Sequence, residues 1–258
     1  MDPFFAAADN GWRRPITRHE GKSRHSRFGR RCCPLLYKAK TMMGQSENEA
    51  FARLIIAIEP WLREVVIIGG WAHRLYCLHP VAQALDYVPL MTLDTDVALP
   101  TRLAVSGQDM RKRLLAHGFS EQRFGDDDPP ATHYQLLEAQ TDFFAEFLKP
   151  LVGGEYSRSG NRKATKRISG VVSQQLRFLE IRLESPWSVN LDQASGFPLP
   201  GRRTIRVANL AGFLAYKVLI HQRRGRAKVA KDILYIHDTS MSAGSQVALR
   251  RNSQPTCS

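Results

Sequence analysis

The chain has 258 residues, of which 43% are hydrophobic, and carries a formal net charge of +13. This length and composition are typical of a globular protein with one large domain or two modest ones. No apolar run approaches the roughly 18 to 20 residues of a membrane-spanning helix, and the N-terminus has no apolar signal-peptide core, so we expect a cytoplasmic protein without a membrane partner.

The charge is distributed in three blocks. Residues 1–41 carry 10 basic and 3 acidic side chains, residues 42–150 carry 9 and 15, and residues 151–258 carry 18 and 6. An acidic centre followed by a basic half suits a carboxylate metal site that faces a surface attracting phosphate-bearing substrates. Solvated surface charge is the alternative explanation of the same distribution.

Residues 1–45 are rich in Arg, Ser, Gly and Pro and show no sustained period of a helix or a strand. We predict a disordered or weakly ordered basic extension there. A translation start upstream of Met42 accounts for this extension better than a transit peptide does, because Asp2, Asp9 and Glu20 are acidic.

The regular pattern begins at Ser46, where apolar residues recur on one face of a predicted helix. The β-branched run at 65–68 then predicts a buried strand that ends in a tight turn at Gly69 and Gly70. A second helix is expected at 71–78.

A second strand is predicted at 91–99. Because side chains alternate along a strand, Asp94 and Asp96 share one face while Thr95 and Val97 lie on the other. The two carboxylates therefore point in the same direction.

Further elements are predicted from periodicity and turn residues: a helix at 108–117, an acidic loop at 125–130, paired strands at 134–139 and 143–148, strands near 175–183, and helices at 210–222 and 226–237. On the strand at 143–148, Glu146 shares a face with Phe144 and Leu148.

These elements predict an α+β chain with a small mixed sheet, helices packed on it, and a helical C-terminal region. We place a catalytic core at 46–165, the remaining strands and helices at 166–239, and a flexible tail at 240–258. The active site is expected in the cleft between the sheet and the helical region.

The pair Asp94 and Asp96 is the natural candidate for a metal site. Mg²⁺ prefers oxygen ligands and commonly binds one or two carboxylates together with substrate phosphates. Glu146 is the best third carboxylate, because an acid flanked by apolar residues is costly to bury without a partner. A lone D-x-D is more often a surface or turn feature, and a double glycine is more often a plain turn than a phosphate-binding one.

The order of strand, Gly69-Gly70, helix, Thr92-x-Asp94-x-Asp96 and a later Glu146 resembles the DNA polymerase-β-type nucleotidyltransferase superfamily. Within it, the chain resembles the AbiEii-like proteins of type IV toxin–antitoxin systems. Those proteins carry a C-terminal helical stretch with a lysine, a basic cluster and a Lys-Asp or Arg-Asp pair. The residues that match here are Lys217, Arg223, Arg224, Lys228, Lys231 and Asp232.

The resemblance implies transfer of a nucleoside monophosphate from an NTP, with Mg²⁺ or Mn²⁺, to a hydroxyl on RNA, including tRNA, on a protein or on a small molecule. It also implies a cognate antitoxin as a partner. The roles it implies are metal binding and catalysis for Asp94, Asp96 and Glu146, and nucleotide binding for Gly69, Gly70, Lys217, Lys231 and Asp232.

Two positions depart from the family pattern. Trp71 follows the double glycine where many members have a small or hydroxyl residue, and no arginine precedes the T-x-D-x-D segment, although Arg74 is a candidate substitute. These departures and the basic C-terminal half keep open a non-catalytic member of the fold that binds nucleic acid or a partner. An antibiotic-modifying nucleotidyltransferase is a further alternative.

Overall fold

The computed structural model describes residues 34–243, with gaps at 84, 86, 88–91, 93, 105–106, 138–141, 157, 159 and 161–162. The predictions made for residues 1–33 and for the tail beyond 243 lie outside this part of the chain.

The first helix, α1, spans Pro34–Ala57. It begins earlier than the periodicity from Ser46 predicted, and it takes in part of the segment expected to be weakly ordered. Its apolar stripe places Phe51, Leu54 and Ile55 in the core with no exposed surface. This spacing of three and four residues is the pattern that buries one face of a helix.

The remaining helices and strands follow in chain order: β1 Val66–Ile68, α2 Gly69–Leu75, β2 Asp94–Ala98, α3 Met110–Ala116, β3 Phe119–Phe124, β4 Ala131–Leu136, β5 Phe144–Pro150, β6 Thr165–Ile168, β7 Val171–Leu176, α4 Glu180–Leu183, β8 Trp187–Leu191, β9 Arg203–Val207, α5 Leu210–Ile220 and α6 Arg226–Ala243. Short 3₁₀ turns lie at Glu59–Trp61, Tyr76–Leu78, Gln193–Ser195 and His221–Arg223.

In the described ranges, nine strands form one mixed sheet. Seven of them follow the order β3-β4-β5-β2-β1-β9-β8, and β7 pairs with both β5 and β6. The pairs β2–β5, β1–β9 and β5–β7 are parallel, and the others are antiparallel. The predicted α+β class with a mixed sheet and a helical C-terminal region is confirmed, and the sheet is larger than expected.

The sheet is continuous across position 165, the predicted end of the catalytic core. Strand β7 pairs with β5, and β9 pairs with β1 through Ile67 and Val207. The last two helices therefore follow strands that belong to the same sheet as the predicted core.

One predicted element is wrong. The segment 175–183 was expected to be a strand, but β7 ends at Leu176 and the chain then forms the short helix α4. The backbone of Phe178 has a left-handed φ of 62°. Extended pairing stops at this bend, and α4 packs on α5 instead.

In the described part of the chain, apolar side chains are buried on both faces of the sheet: the larger cluster includes Ile67 and Val97, and the smaller one includes Val66 and Ile68. The largest fully buried side chains include Trp61, Trp71 and Phe51, and the rings of Phe51 and Trp71 stack with centroids 4.0 Å apart. Such aromatic pairs contribute about 0.5 to 1.5 kcal/mol beyond the area they bury. Over the described residues, we find no helix with the length and apolar character needed to cross a membrane.

Candidate active site

A cavity of about 640 Å³ lies where the sheet meets the two C-terminal helices. Eight residues selected from the sequence line it together: Gly69, Gly70, Asp94, Asp96, Glu146, Lys217, Lys231 and Asp232. They come from β2, β5, the start of α2, and helices α5 and α6. The fold thus gathers residues that are far apart in sequence, while their individual roles stay predictions.

The first wall of the cavity is made of carboxylates on neighbouring strands. Asp94 and Asp96 are half-buried on one face of β2, while Thr95 and Val97 are buried on the other. In the parallel register of β2 and β5, Asp96 lies directly opposite Glu146. The alternation predicted from sequence therefore places three carboxylates on the same face of the sheet.

Burial and neighbouring negative charge raise the pKa of Asp96 and of Glu146. Burial, followed by the charges of Asp94 and Glu146, raises the pKa of Asp96 to about 7. Burial and then Asp94 also raise the pKa of Glu146 above its usual range. Both shifts mean that the wall binds protons more tightly than isolated carboxylates do, so it is suited to a cation.

Glu146 is held by two side chains from strands on the same side of β5. Nε2 of His133 on β4 lies 2.7 Å from Oε1 of Glu146, and Nε2 of Gln174 on β7 donates to Oε2 at 3.1 Å. The ring of His133 also stacks on Phe144, with centroids 4.5 Å apart. The orientation of the Glu146 carboxylate is therefore fixed at both oxygens.

The double glycine packs directly against this wall. Gly69 opens α2 with φ +69°, and a Cβ at this position would lie 2.0 Å from Oδ2 of Asp96. A Cβ on Gly70 would lie 1.9 Å from Oγ1 of Thr92 and 2.7 Å from the hydroxyl oxygen of Tyr235. No other residue fits at either position without displacing a neighbour.

The second wall carries cations from α5, α6 and the turn between them. Lys217, which is 5% exposed, forms an ion pair with Asp232, and Nε of Arg224 donates to the other oxygen of Asp232 at 3.1 Å. Burial lowers the pKa of Lys217, although Asp232 opposes this shift. Lys228 and Lys231 line the same cavity from exposed positions on α6.

Sequence reasoning missed three cations that line the cavity, Lys163, Arg177 and Arg182, of which Arg182 of α4 is the buried one. Its side chain is buried, and its guanidinium carbon lies 3.8 Å from the centroid of the Tyr216 ring. No local motif marks this residue, because α4 is too short to show a helical period and Tyr216 is distant in sequence.

The two departures from the family pattern have structural explanations. Trp71 points into the core, where its ring stacks on Phe51. Arg74 does not supply the missing positive charge to the site, because its guanidinium is bound by Glu47 at 2.6 Å and Asn48 at 2.7 Å. The proposed substitution by Arg74 is therefore wrong.

The fit of a divalent metal can be judged from the carboxylate wall. Within the described ranges, no group of three or more His, Cys, Asp or Glu side chains is arranged to hold a metal alone. The negative charge that Asp94 and Glu146 place around the buried Asp96 nevertheless favours a cation beside Asp94 and Asp96. Two carboxylates completed by phosphate oxygens and water are an ordinary ligand set for Mg²⁺.

Comparisons with known proteins give one family match. A family model described as Nucleotidyltransferase matches residues 47–246. The comparison with curated proteins gives no match.

Two solved structures are similar to the chain at low identity. An antigenic nucleotidyltransferase-like protein from Paracoccidioides brasiliensis is 14% identical, with a TM-score of 0.39 over 76% of this chain and 75% of that one. ANT(2″)-Ia in complex with adenylyl-2″-tobramycin is 12% identical, with a TM-score of 0.36 over 84% and 99%. At such TM-scores neither likeness bears on the substrate of this chain.

Proposed function

Because the chain belongs to the nucleotidyltransferase family, whose model matches residues 47–246, we propose that it transfers a nucleoside monophosphate from an NTP to a hydroxyl acceptor. The observation that supports this proposal is the division of one cavity into two walls of opposite charge. Asp94, Asp96 and Glu146 form one wall, and cations from α5 and α6 form the other.

A metal–NTP complex matches both walls. Its metal presents positive charge to the carboxylates, and its phosphates present negative charge to the cations. Asp232 already accepts hydrogen bonds from Lys217 and Arg224, so its one negative charge faces two positive ones. Lys228 and Lys231 add further positive charge at the mouth. The phosphates of the substrate supply the negative charge that this wall lacks.

Asp94 and Asp96 would hold Mg²⁺ or Mn²⁺. When bound, the metal polarises the phosphoryl oxygens and neutralises the charge that develops on the leaving group. Because Gly69 and Gly70 have no Cβ, their backbone packs directly against Asp96 and Thr92, and both glycines line the cavity that would hold the triphosphate.

In the transfer step, the acceptor oxygen forms a bond to the α-phosphorus, and the bond from this phosphorus to the oxygen bridging to the β-phosphate breaks. Pyrophosphate leaves with that electron pair. Glu146 receives the proton of the acceptor hydroxyl. Its raised pKa and its fixed orientation between His133 and Gln174 support this role.

The acceptor is the finer part of the proposal. An RNA acceptor, including tRNA, and a toxin role with a cognate antitoxin stay predictions from the sequence resemblance. A protein or small-molecule acceptor, including an antibiotic, stays an alternative.

Label transfer from two forms of ATP tests the proposed reaction. With pooled tRNA, a protein extract and a panel of aminoglycosides as acceptors, label from [α-³²P]ATP is expected on one acceptor class. Label from [γ-³²P]ATP is expected in pyrophosphate, and Asp94→Asn should abolish both signals. Transfer of the γ-label to the acceptor would instead indicate a kinase reaction and would overturn the proposal.

The second candidate function is a non-catalytic nucleic-acid-binding member of the fold. Residues 151–258 carry 18 basic and 6 acidic side chains, and this excess of positive charge favours such a function. Two results together would favour this function. RNA binding would weaken steeply with salt and would not change with Mg²⁺ or with Asp94→Ala, and no label would be transferred.

A further inference from the structure

Arg182 is a buried cation at the wall of the cavity. It is 4% exposed, its guanidinium stacks on the ring of Tyr216, and it lines the same cavity as Asp96. Its Nε has no hydrogen-bond partner, and among the described residues no carboxylate forms an ion pair with it. A buried guanidinium without a counter-ion is costly, so an anionic ligand would stabilise this arrangement.

The helix that carries Arg182 is fixed on α5. A Cβ on Gly212 would lie 2.7 Å from the carbonyl oxygen of Ile181, so glycine is what allows α4 to approach this closely. Asn209, which caps α5, donates through its amide to the carbonyl oxygens of Glu184 and Ser185 at 2.8 and 3.0 Å. Arg182 is therefore held in place before any ligand binds, which lowers the entropy cost of binding.

Arg182 is close enough to other cations of the cavity to be affected by their charge. Lys217 and Arg224 share the single carboxylate of Asp232. The charge of Arg224 disfavours the charged form of Arg182, and the charge of Arg182 disfavours the charged form of Lys217. Asp232 therefore already has two cationic partners, Lys217 and Arg224. The charge of Asp96 favours the charged form of Arg182, but among the described residues no ion pair joins the two side chains.

We propose that Arg182 binds the two phosphates of the NTP that are not transferred, and that it retains the pyrophosphate after the step. A guanidinium donates two parallel hydrogen bonds to phosphate oxygens, and the terminal phosphates carry most of the charge of the triphosphate. The α-phosphate belongs beside the carboxylate wall, whereas Arg182 lies with the cations of the helical wall. The identity of the ligand rests on the proposed function.

Inorganic tripolyphosphate tests this site without metal or nucleoside. Its affinity is measured by isothermal titration in EDTA for the wild-type chain, for Arg182→Met and for the control Arg177→Met. Arg177 lines the same cavity but already pairs with Glu155 at 2.6 Å. We expect Arg182→Met to weaken binding about 10- to 100-fold, and the control to change it by no more than about twofold.

Three results would each overturn the proposal. Arg182→Met could bind tripolyphosphate as tightly as the wild-type chain does, both variants could lose the same affinity, or the wild-type chain could fail to bind. If circular dichroism shows that Arg182→Met does not fold, Arg182→Lys decides. Lysine keeps the charge but cannot donate two parallel bonds, so about a tenfold loss is expected, and an unchanged affinity contradicts the proposal.

Titration of ATP with Mg²⁺ into the same variants separates this inference from the proposed function. If ATP binds in a metal-dependent way and with equal affinity to Arg182→Met and to the wild-type chain, the role of Arg182 is refuted and the transferase proposal stands. Tripolyphosphate binding that depends on Arg182, in a chain that binds no NTP, would support the anion site and refute the proposed nucleotide reaction.

Discussion

Gly69 and Asp96 are in direct contact across the first pair of strands. Ile68, the last residue of β1, is the register partner of Asp96 on β2, and the next residue, Gly69, turns into α2 with φ +69°. A Cβ there would lie 2.0 Å from Oδ2 of Asp96. The double glycine and the D-x-D pair therefore form one structural unit, in which the glycine determines where the carboxylate can lie.

Gly69→Ala should disturb this unit. The added methyl group displaces the Asp96 carboxylate and strains a left-handed backbone, so we expect a loss of about 1 to 3 kcal/mol in the free energy of unfolding. We also expect at least a tenfold loss in metal-dependent NTP affinity, because Asp96 moves. Urea denaturation and isothermal titration measure the two effects.

Gly153→Ala is the matched control. Gly153 has φ +77° but a Cβ there meets nothing within 4 Å, so this variant carries the backbone strain without the collision. It should lose stability and keep its NTP affinity. If both variants retain the same affinity, the contact between Gly69 and Asp96 does not organise the site.

Asp96→Asn should stabilise the metal-free protein at alkaline pH. The native pKa of Asp96 is raised to about 7, above the unfolded value of about 4, so the native state binds the proton more tightly. Its stability then falls as the pH rises between these values and stays reduced above them. The amide removes this loss, which we expect to be roughly 2 to 4 kcal/mol at pH 8.

Thermal unfolding in EDTA at pH 5 and pH 8 measures this difference. The gain from Asp96→Asn should be larger at pH 8 than at pH 5, whereas Asp126→Asn in the exposed loop should have little effect at either pH. A gain that is the same at both pH values would show that the Asp96 carboxyl does not titrate as described.

The sequence predicted the parts of the site that depend on local pattern. Alternation along β2 and β5 placed Asp94, Asp96 and Glu146 on one face, because strand side chains alternate whatever the rest of the fold does. Gly69 and Gly70 follow a β-branched run, so the turn into α2 was also recognisable. These local rules do not specify which strands become neighbours.

Elements that depend on distant partners were missed. Strand β9 is short, and its parallel pairing with β1 joins segments that lie far apart in sequence. The segment before β8 mixes charged and apolar residues, so a strand was predicted where α4 forms. Arg182 was missed for the same reason, because its burial and its stacking on Tyr216 arise only when α4 packs on α5.

Lys217→Met should destabilise the helical wall. It leaves Asp232 buried with Arg224 as its remaining ion-pair partner among the described residues, so we expect the free energy of unfolding to fall by about 2 to 4 kcal/mol. The exposed Lys228→Met is the control and should change stability by no more than about 0.5 kcal/mol. Urea denaturation of both variants checks this, and equal, small effects would show that the buried pair contributes nothing.

His133 should affect turnover more than nucleotide binding. His133→Ala removes the group 2.7 Å from Oε1 of Glu146, and we expect kcat to fall about 10- to 100-fold with a small change in the KM for NTP. His133→Gln retains a hydrogen-bond donor and should recover part of the loss. A fall in kcat that glutamine does not relieve, or a rise in KM alone, would contradict a role in orienting Glu146.

Isothermal titration of ATP, GTP, CTP and UTP, with and without Mg²⁺, tests the central claim most directly. The wild-type chain is compared with the Asp94→Ala, Asp96→Ala double variant, whose fold is checked by circular dichroism. We predict that at least one NTP binds the wild-type chain, that binding depends on Mg²⁺, and that the folded double variant loses it. Failure of every NTP to bind, or binding unchanged in the double variant, would contradict a metal-dependent nucleotidyltransferase site.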